Sequence, residues 1–153
     1  MNSIINVKLD KGHGSVIYSD KEMKKIVVVD GTNYKKKIKH LKLLDASDTL
    51  VRDKLNFVDF VFNAEYTKVK NRSHQVSSGL DDVNVREIAN KNKVYFFDIK
   101  KIKTLLNNKL NNFDILSKIK QNIILFEKYK VNYLFINSDK KSADFFKEYF
   151  SKI

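Results

Sequence analysis

Residues 113–137, FDILSKIKQNIILFEKYK running directly into VNYLFIN, decide the fold. In the first part Ile115, Ile119, Ile123 and Phe126 recur three or four residues apart, which lays one apolar stripe along a helix over 113–130. Lys118, Gln121 and Asn122 fall on another face of that helix. The second part is apolar, short and rich in β-branched and aromatic residues, as a strand is. Upstream, VYFFDI at 94–99 has the same character. A strand, a helix and a strand in succession predict parallel pairing through a right-handed crossover. Working outward, KIVVVD (25–30), the segment 41–45 and FVDFVF (57–62) extend the strand series. Residues 4–9 and 15–18 predict a hairpin turning at Lys11-Gly12-His13-Gly14. Helices are predicted over 47–55 with Ser47 as cap, and over 84–91 with Asn84 and Glu87 as a capping box. A last helix covers 142–152, capped by Ser142, with Phe145, Phe146 and Tyr149 turned inward.

The fold class is therefore α/β. Eight βα units need about 200 residues or more, and the chain has 153. The expectation is a single domain over 1–153 built as a TIM-barrel-like (β/α) fold, reduced or incomplete, or as a smaller α/β layer. A chain of this length can bury a core without metal or disulfide staples.

The chain has 30 Lys+Arg against 18 Asp+Glu, a net charge of +12. A polyanion is the first partner such a surface implies. Only Arg52, Arg72 and Arg86 are arginines; the other basic residues are lysines, in a chain also rich in Asn and Ile and without proline. An AT-rich coding sequence produces that composition, so part of the charge is attributable to coding bias. Its placement has to discriminate. Cysteine is absent, which excludes disulfides, thiolate metal sites and a cysteine nucleophile. No apolar run approaches the length of a membrane span and residues 1–10 lack signal-peptide order, so a cytoplasmic protein is expected.

The stretch 64–82, AEYTKVKNRSHQVSSGLDD, follows a strand and shows little apolar periodicity. Loops of this length in compact domains tend to be functional or disordered, and loops after strand C-termini carry the sites of parallel α/β folds. Lys68, Lys70, Arg72 and His74 lie in it, with Tyr66, Asn71, Ser73 and Gln75. Arginine offers bidentate contacts to phosphate, lysine a point charge, and Tyr or His a stacking face. The competing interpretation is a solvated loop. Gly79 suits a positive-φ turn before the next helix. The run YKKKIKHLK (34–42) is either a solvated face or a phosphate-tracking patch beside Tyr34.

Catalytic constellations are missing. Gly12-His13-Gly14 lacks the rest of a dinucleotide fingerprint, and His13, His40 and His74 are not spaced as metal ligands. There is no Walker A loop and no nucleophile elbow. Asp10, Asp30, Asp45 and Asp98 sit near strand ends, where carboxylates either hold Mg²⁺ or cap turns.

The succession Arg72, then Ser78-Gly79-Leu80-Asp81-Asp82-Val83, then Arg86-Glu87-Ile88-Ala89-Asn90-Lys91-Asn92-Lys93-Val94 resembles protein component 3 of archaeal and eukaryotic ribonuclease P. So do Leu116-Ser117-Lys118-Ile119-Lys120-Gln121-Asn122-Ile123 and Lys128-Tyr129-Lys130-Val131. The resemblance covers about residues 67–137. Asp82 stands where that family's turn has His, and Asn132 where it has Pro; the family's acidic residue in the following strand falls among Tyr95, Phe96 and Phe97. The resemblance implies a TIM-barrel-like subunit of the ribonucleoprotein that removes 5′ leaders from precursor tRNA, with RNA as the catalyst. It also implies ribonuclease P RNA and protein component 2 as partners, and precursor tRNA reached through the complex. By the same resemblance no cofactor is expected on the chain itself, and Mg²⁺ is expected to serve the RNA-catalysed reaction. The RNA-contact candidates are Lys68, Lys70, Arg72 and His74 in the loop, Arg86 at the short helix, and Lys118 and Lys120 on the long helix, with no catalytic residue. Two alternatives remain: a metal-dependent phosphoesterase on a barrel-like scaffold using the strand-end aspartates, and a structural basic protein without RNA function.

Overall fold

The computed structural model describes residues 4–8, 15–18, 23–47, 49–67, 78–107, 113–137 and 140–151. Strands β1 (Ile4–Lys8), β2 (Ser15–Tyr18) and β3 (Met23–Val29) pair antiparallel in sequence. From β3 onward the sheet is parallel, through β4 (Leu41–Asp45), β5 (Phe60–Phe62), β6 (Val94–Asp98) and β7 (Asn132–Ile136). The mixed α/β class and a five-stranded parallel sheet are thus established. β7 also pairs in parallel with β1, at Ile4↔Phe135 and Ile5↔Ile136, so the hydrogen-bonded order returns to its start.

Alternation along the strands sorts side chains into two cores. Ile26, Val28, Leu43, Phe62, Phe96, Leu134 and Ile136 form the inner one, where the rings of Phe60 and Phe96 stack at 4.7 Å. Their neighbours Val29, Leu44, Val61, Tyr95, Phe97 and Phe135 face outward into the larger core. Helix α1 (Asp82–Asn90), α2 (Ile99–Asn107), α3 (Phe113–Tyr129) and α4 (Lys140–Ser151) contribute to it. Ile119 and Phe126 of α3 are fully buried. Removing such side chains from water is worth about 1.5–3 kcal/mol each.

Several local expectations are corrected. Residues 47–55 are not a helix. The Asp45 carboxylate accepts from both the backbone N–H and the hydroxyl of Ser47, which turns the chain away from helical geometry. A single 3-10 turn at Leu55–Phe57 follows, and it shortens β5 at its N-terminal end. The cap of α1 is Asp81, whose side chain accepts from the Asn84 N–H at 2.8 Å, rather than Asn84 itself. α2 falls in a stretch for which no element was predicted. In α4 Phe146 and Phe150 are buried, but Phe145 and Tyr149 are 62% and 50% exposed, because a four-residue step aligns only one pair with the core. Ser142 lies inside α4 rather than at its start. The hairpin turn with His13, and Asp10, lie outside the described residues.

Candidate nucleic-acid interface

The site is built on the exits of β5 and β6. After β5 the chain makes a left-handed step at Asn63 (φ 66°) and a 3-10 turn at Ala64–Tyr66. It returns at Ser78–Leu80, where Gly79 has φ 81°. A Cβ on Gly79 would stand 1.9 Å from the Ala64 carbonyl oxygen. Two requirements therefore select glycine: the positive φ and the contact with backbone. The returning end of the loop is held by Asn122, whose amide donates to the Ser78 carbonyl at 3.0 Å. Asn122 is fully buried, with Oδ1 unpartnered among the described residues. It therefore sits in the apolar seam of α3, not on the polar face with Lys118 and Gln121.

Beside this loop base lies a buried polar cluster that the sequence does not reveal. The Tyr95 hydroxyl, on β6, accepts from the Ala64 N–H at 2.9 Å and donates to the Glu65 carboxylate in a very short hydrogen bond. Glu65 is 1% exposed. Burial pushes its carboxyl up to about 7, against the opposing hydrogen bond from Tyr95. Burial also raises the Tyr95 and Tyr66 phenols. The Tyr66 hydroxyl is buried without a partner among the described residues, while the Lys101 ammonium lies 3.9 Å from its ring centroid. Glu65 stands in a polar stretch, and its partner Tyr95 is 30 residues away, so no local signal marks it.

Of the predicted contacts, Lys68, Lys70, Arg72 and His74 lie outside the described residues. Arg86 is exposed on α1 with its guanidinium 5.5 Å from the Tyr129 ring, at the C-terminal end of α3. Lys128 approaches the same ring at 5.1 Å and reaches Asp82 at 3.7 Å. Hydrogen bonding to Tyr129, then attraction to Asp82, raises the Lys128 pKa above its ordinary value. Arg86, Lys128 and Tyr129 thus form one cationic, ring-bearing patch. Lys118 is half-buried and Lys120 exposed. Eleven residues separate Lys118 from Tyr129, about 16 Å along the helix, so the structure does not gather these lysines with Arg86.

The three described strand-end aspartates, Asp30, Asp45 and Asp98, act as caps. Asp30 accepts from Thr32 and Asn33, Asp45 from Ser47, and Asp98 from the Lys101 N–H. Among the described residues no three His, Cys, Asp or Glu side chains converge as a metal site. No helix among them is long and apolar enough to cross a membrane.

No family model matches the sequence, and no curated protein does. Among solved structures, the chain is similar to one chain of a cryo-EM structure of archaeal ribonuclease P with mature tRNA. The TM-score is 0.54 at 19% identity, over 76% of this chain and 52% of that one. The match spans about half the length of that chain, and at this identity it establishes a shared fold.

Proposed function

We propose that this chain is an RNA-binding protein subunit of ribonuclease P, related to component 3, which supports the catalytic RNA electrostatically during removal of 5′ leaders from precursor tRNA. Its seven-strand ring is then a reduced TIM-barrel-like fold. Ribonuclease P RNA and component 2 are its partners, and precursor tRNA reaches it through the complex. Mg²⁺ serves the RNA, and the setting is the cytoplasm.

One observation carries the proposal. The Ser78-Gly79-Leu80 turn and the Asn122 segment, two separate parts of the sequence resemblance, are joined by the Asn122–Ser78 hydrogen bond in a fold shared with a chain of an archaeal ribonuclease P. The third part, Lys128-Tyr129-Lys130, meets Arg86 of the first. A net charge of +12 supplies the counterion-release term that RNA binding draws on. The proposed contacts are Arg86, the loop residues Lys68, Lys70, Arg72 and His74, and more weakly Lys118 and Lys120.

The test is reconstitution. Cleavage of precursor tRNA by the cognate RNA and remaining proteins is measured at low Mg²⁺ with and without this chain. A rate that rises with the chain and falls with Arg86→Ala supports the proposal; a rate indifferent to the chain ends it.

A further inference from the structure

The flank outside β3 and β4 is built differently from the flank outside β5, β6 and β7. Among the described residues neither crossover there carries an α-helix: residues 30–40 form turns, and the next connection holds the 3-10 turn. Lysines take over part of the covering. Lys42 and Lys54 are each only 8% exposed. The Lys42 ammonium donates to the Tyr34 carbonyl at 3.0 Å. The Lys54 ammonium donates to the Leu50 carbonyl and pairs with Asp53, both at 3.0 Å, while lying 5.3 Å from the Tyr34 ring centroid.

On this base stands an aromatic pair. Tyr34 and Phe57 meet edge-to-face at 5.5 Å, and the Lys35 ammonium lies 5.8 Å from both centroids. Phe57 is 42% exposed. Lys36, Lys37 and Lys39, in the same connection as Tyr34 and Lys35, are exposed, as is Arg52 in the connection that carries Phe57. Of the described acids nearby, Asp30 holds its own turn, and Asp53 pairs with Lys54 and also attracts Lys35. No acidic side chain among the described residues pairs with Lys36, Lys37 or Lys39.

From the exposed Phe57 ring with Lys35 over it, in a flank whose Lys36, Lys37 and Lys39 have no acidic partner among the described residues, we infer that this flank is a second RNA-binding surface, one that takes unpaired nucleotides. Lysines track the phosphates while a base stacks on Phe57 beside the Lys35 ammonium. A protein partner fits less well, since lysine is depleted from the centres of protein interfaces. A duplex offers Phe57 no free base face. The inference rests on the RNA-binding function proposed above and adds to it a location and a strand state.

The experiment titrates the full chain with a 20-nucleotide oligouridine and with a 20-base-pair RNA duplex, over a range of salt. Phe57→Ala is expected to weaken oligouridine binding about tenfold and to leave duplex binding unchanged, while Phe57→Tyr keeps wild-type affinity. Replacing Lys36, Lys37 and Lys39 together by Gln is expected to lower the oligouridine salt slope by about two. Thermal melts of each variant establish that it is folded, and Phe57→Leu, which keeps apolar packing without a ring, stands in if Phe57→Ala is not. Oligouridine binding untouched by both sets of changes overturns the second surface while leaving the first function standing. Equal loss on oligouridine and duplex overturns base stacking. A wild-type chain that binds neither RNA overturns this inference and the proposed function together.

Discussion

At the scale of single residues, Glu65 is a carboxyl removed from water and joined to the Tyr95 phenol. Its folded pKa of about 7 lies above the ordinary value of 4.5. A carboxyl raised on folding contributes stability that is complete below about pH 4.5 and is lost as the pH rises through 7. The window is worth on the order of 3 kcal/mol. Urea denaturation across pH 4–8 should show stability declining over that range, and Glu65→Gln, which can still accept from Tyr95, should flatten the decline. A wild-type profile without this slope would count against the buried carboxyl. Gly79→Ala is the second residue-scale test. The left-handed φ and the clash with the Ala64 carbonyl together should cost about 3 kcal/mol or more, read from the shift of the denaturation midpoint.

At the scale of elements, the caps and the loop base set the energies. Asp81→Ala removes the side-chain acceptor at the start of α1 and should cost about 1 kcal/mol. Lys130, just past α3, has φ 61°, a position where a side chain is disfavoured by about 1–2 kcal/mol. Lys130→Gly is expected to stabilise by roughly 0.5–1 kcal/mol after glycine's own entropic cost. Asn122→Ala leaves the Ser78 carbonyl without its donor inside the protein, at about 1–3 kcal/mol; unchanged stability would mean that the loop base is held elsewhere. How legible these elements were depends on how local their causes are. The α3 stripe and strands β6 and β7 follow from periodicity alone. The failure at 47–55 has a local cause as well: Asp45 captures Ser47 two residues on, a side-chain competition that propensity does not weigh. α2 carried a signal in the spacing of Ile99, Ile102 and Leu105, blurred by the lysines between them.

At the scale of the molecule, charge and topology act together. If six phosphates are contacted, affinity for RNA should fall by about a thousandfold between 50 and 200 mM salt, measured by fluorescence anisotropy on a labelled precursor tRNA. A salt-insensitive affinity would return the lysines to coding bias. The ring brings the two halves of the chain into register through β1 and β7. It also divides the surface into a flank covered by helices, where Arg86 meets Tyr129, and a flank without them among the described residues, where Lys35 lies over the exposed Phe57 ring.

The sequence by itself determined the alternation of strands and helices, the parallel pairing of the later strands, the positive charge and the positive-φ role of Gly79. Each depends on spacing or composition within a few residues. Only the tertiary structure decided that Asn122 is buried and holds Ser78, that Glu65 faces Tyr95, that Phe145 and Tyr149 point outward, and that Phe57 meets Tyr34 and Lys35. Those outcomes depend on which surfaces meet across 20 to 45 residues of chain. Desolvation and hydrogen-bond pairing choose among faces that periodicity leaves equivalent.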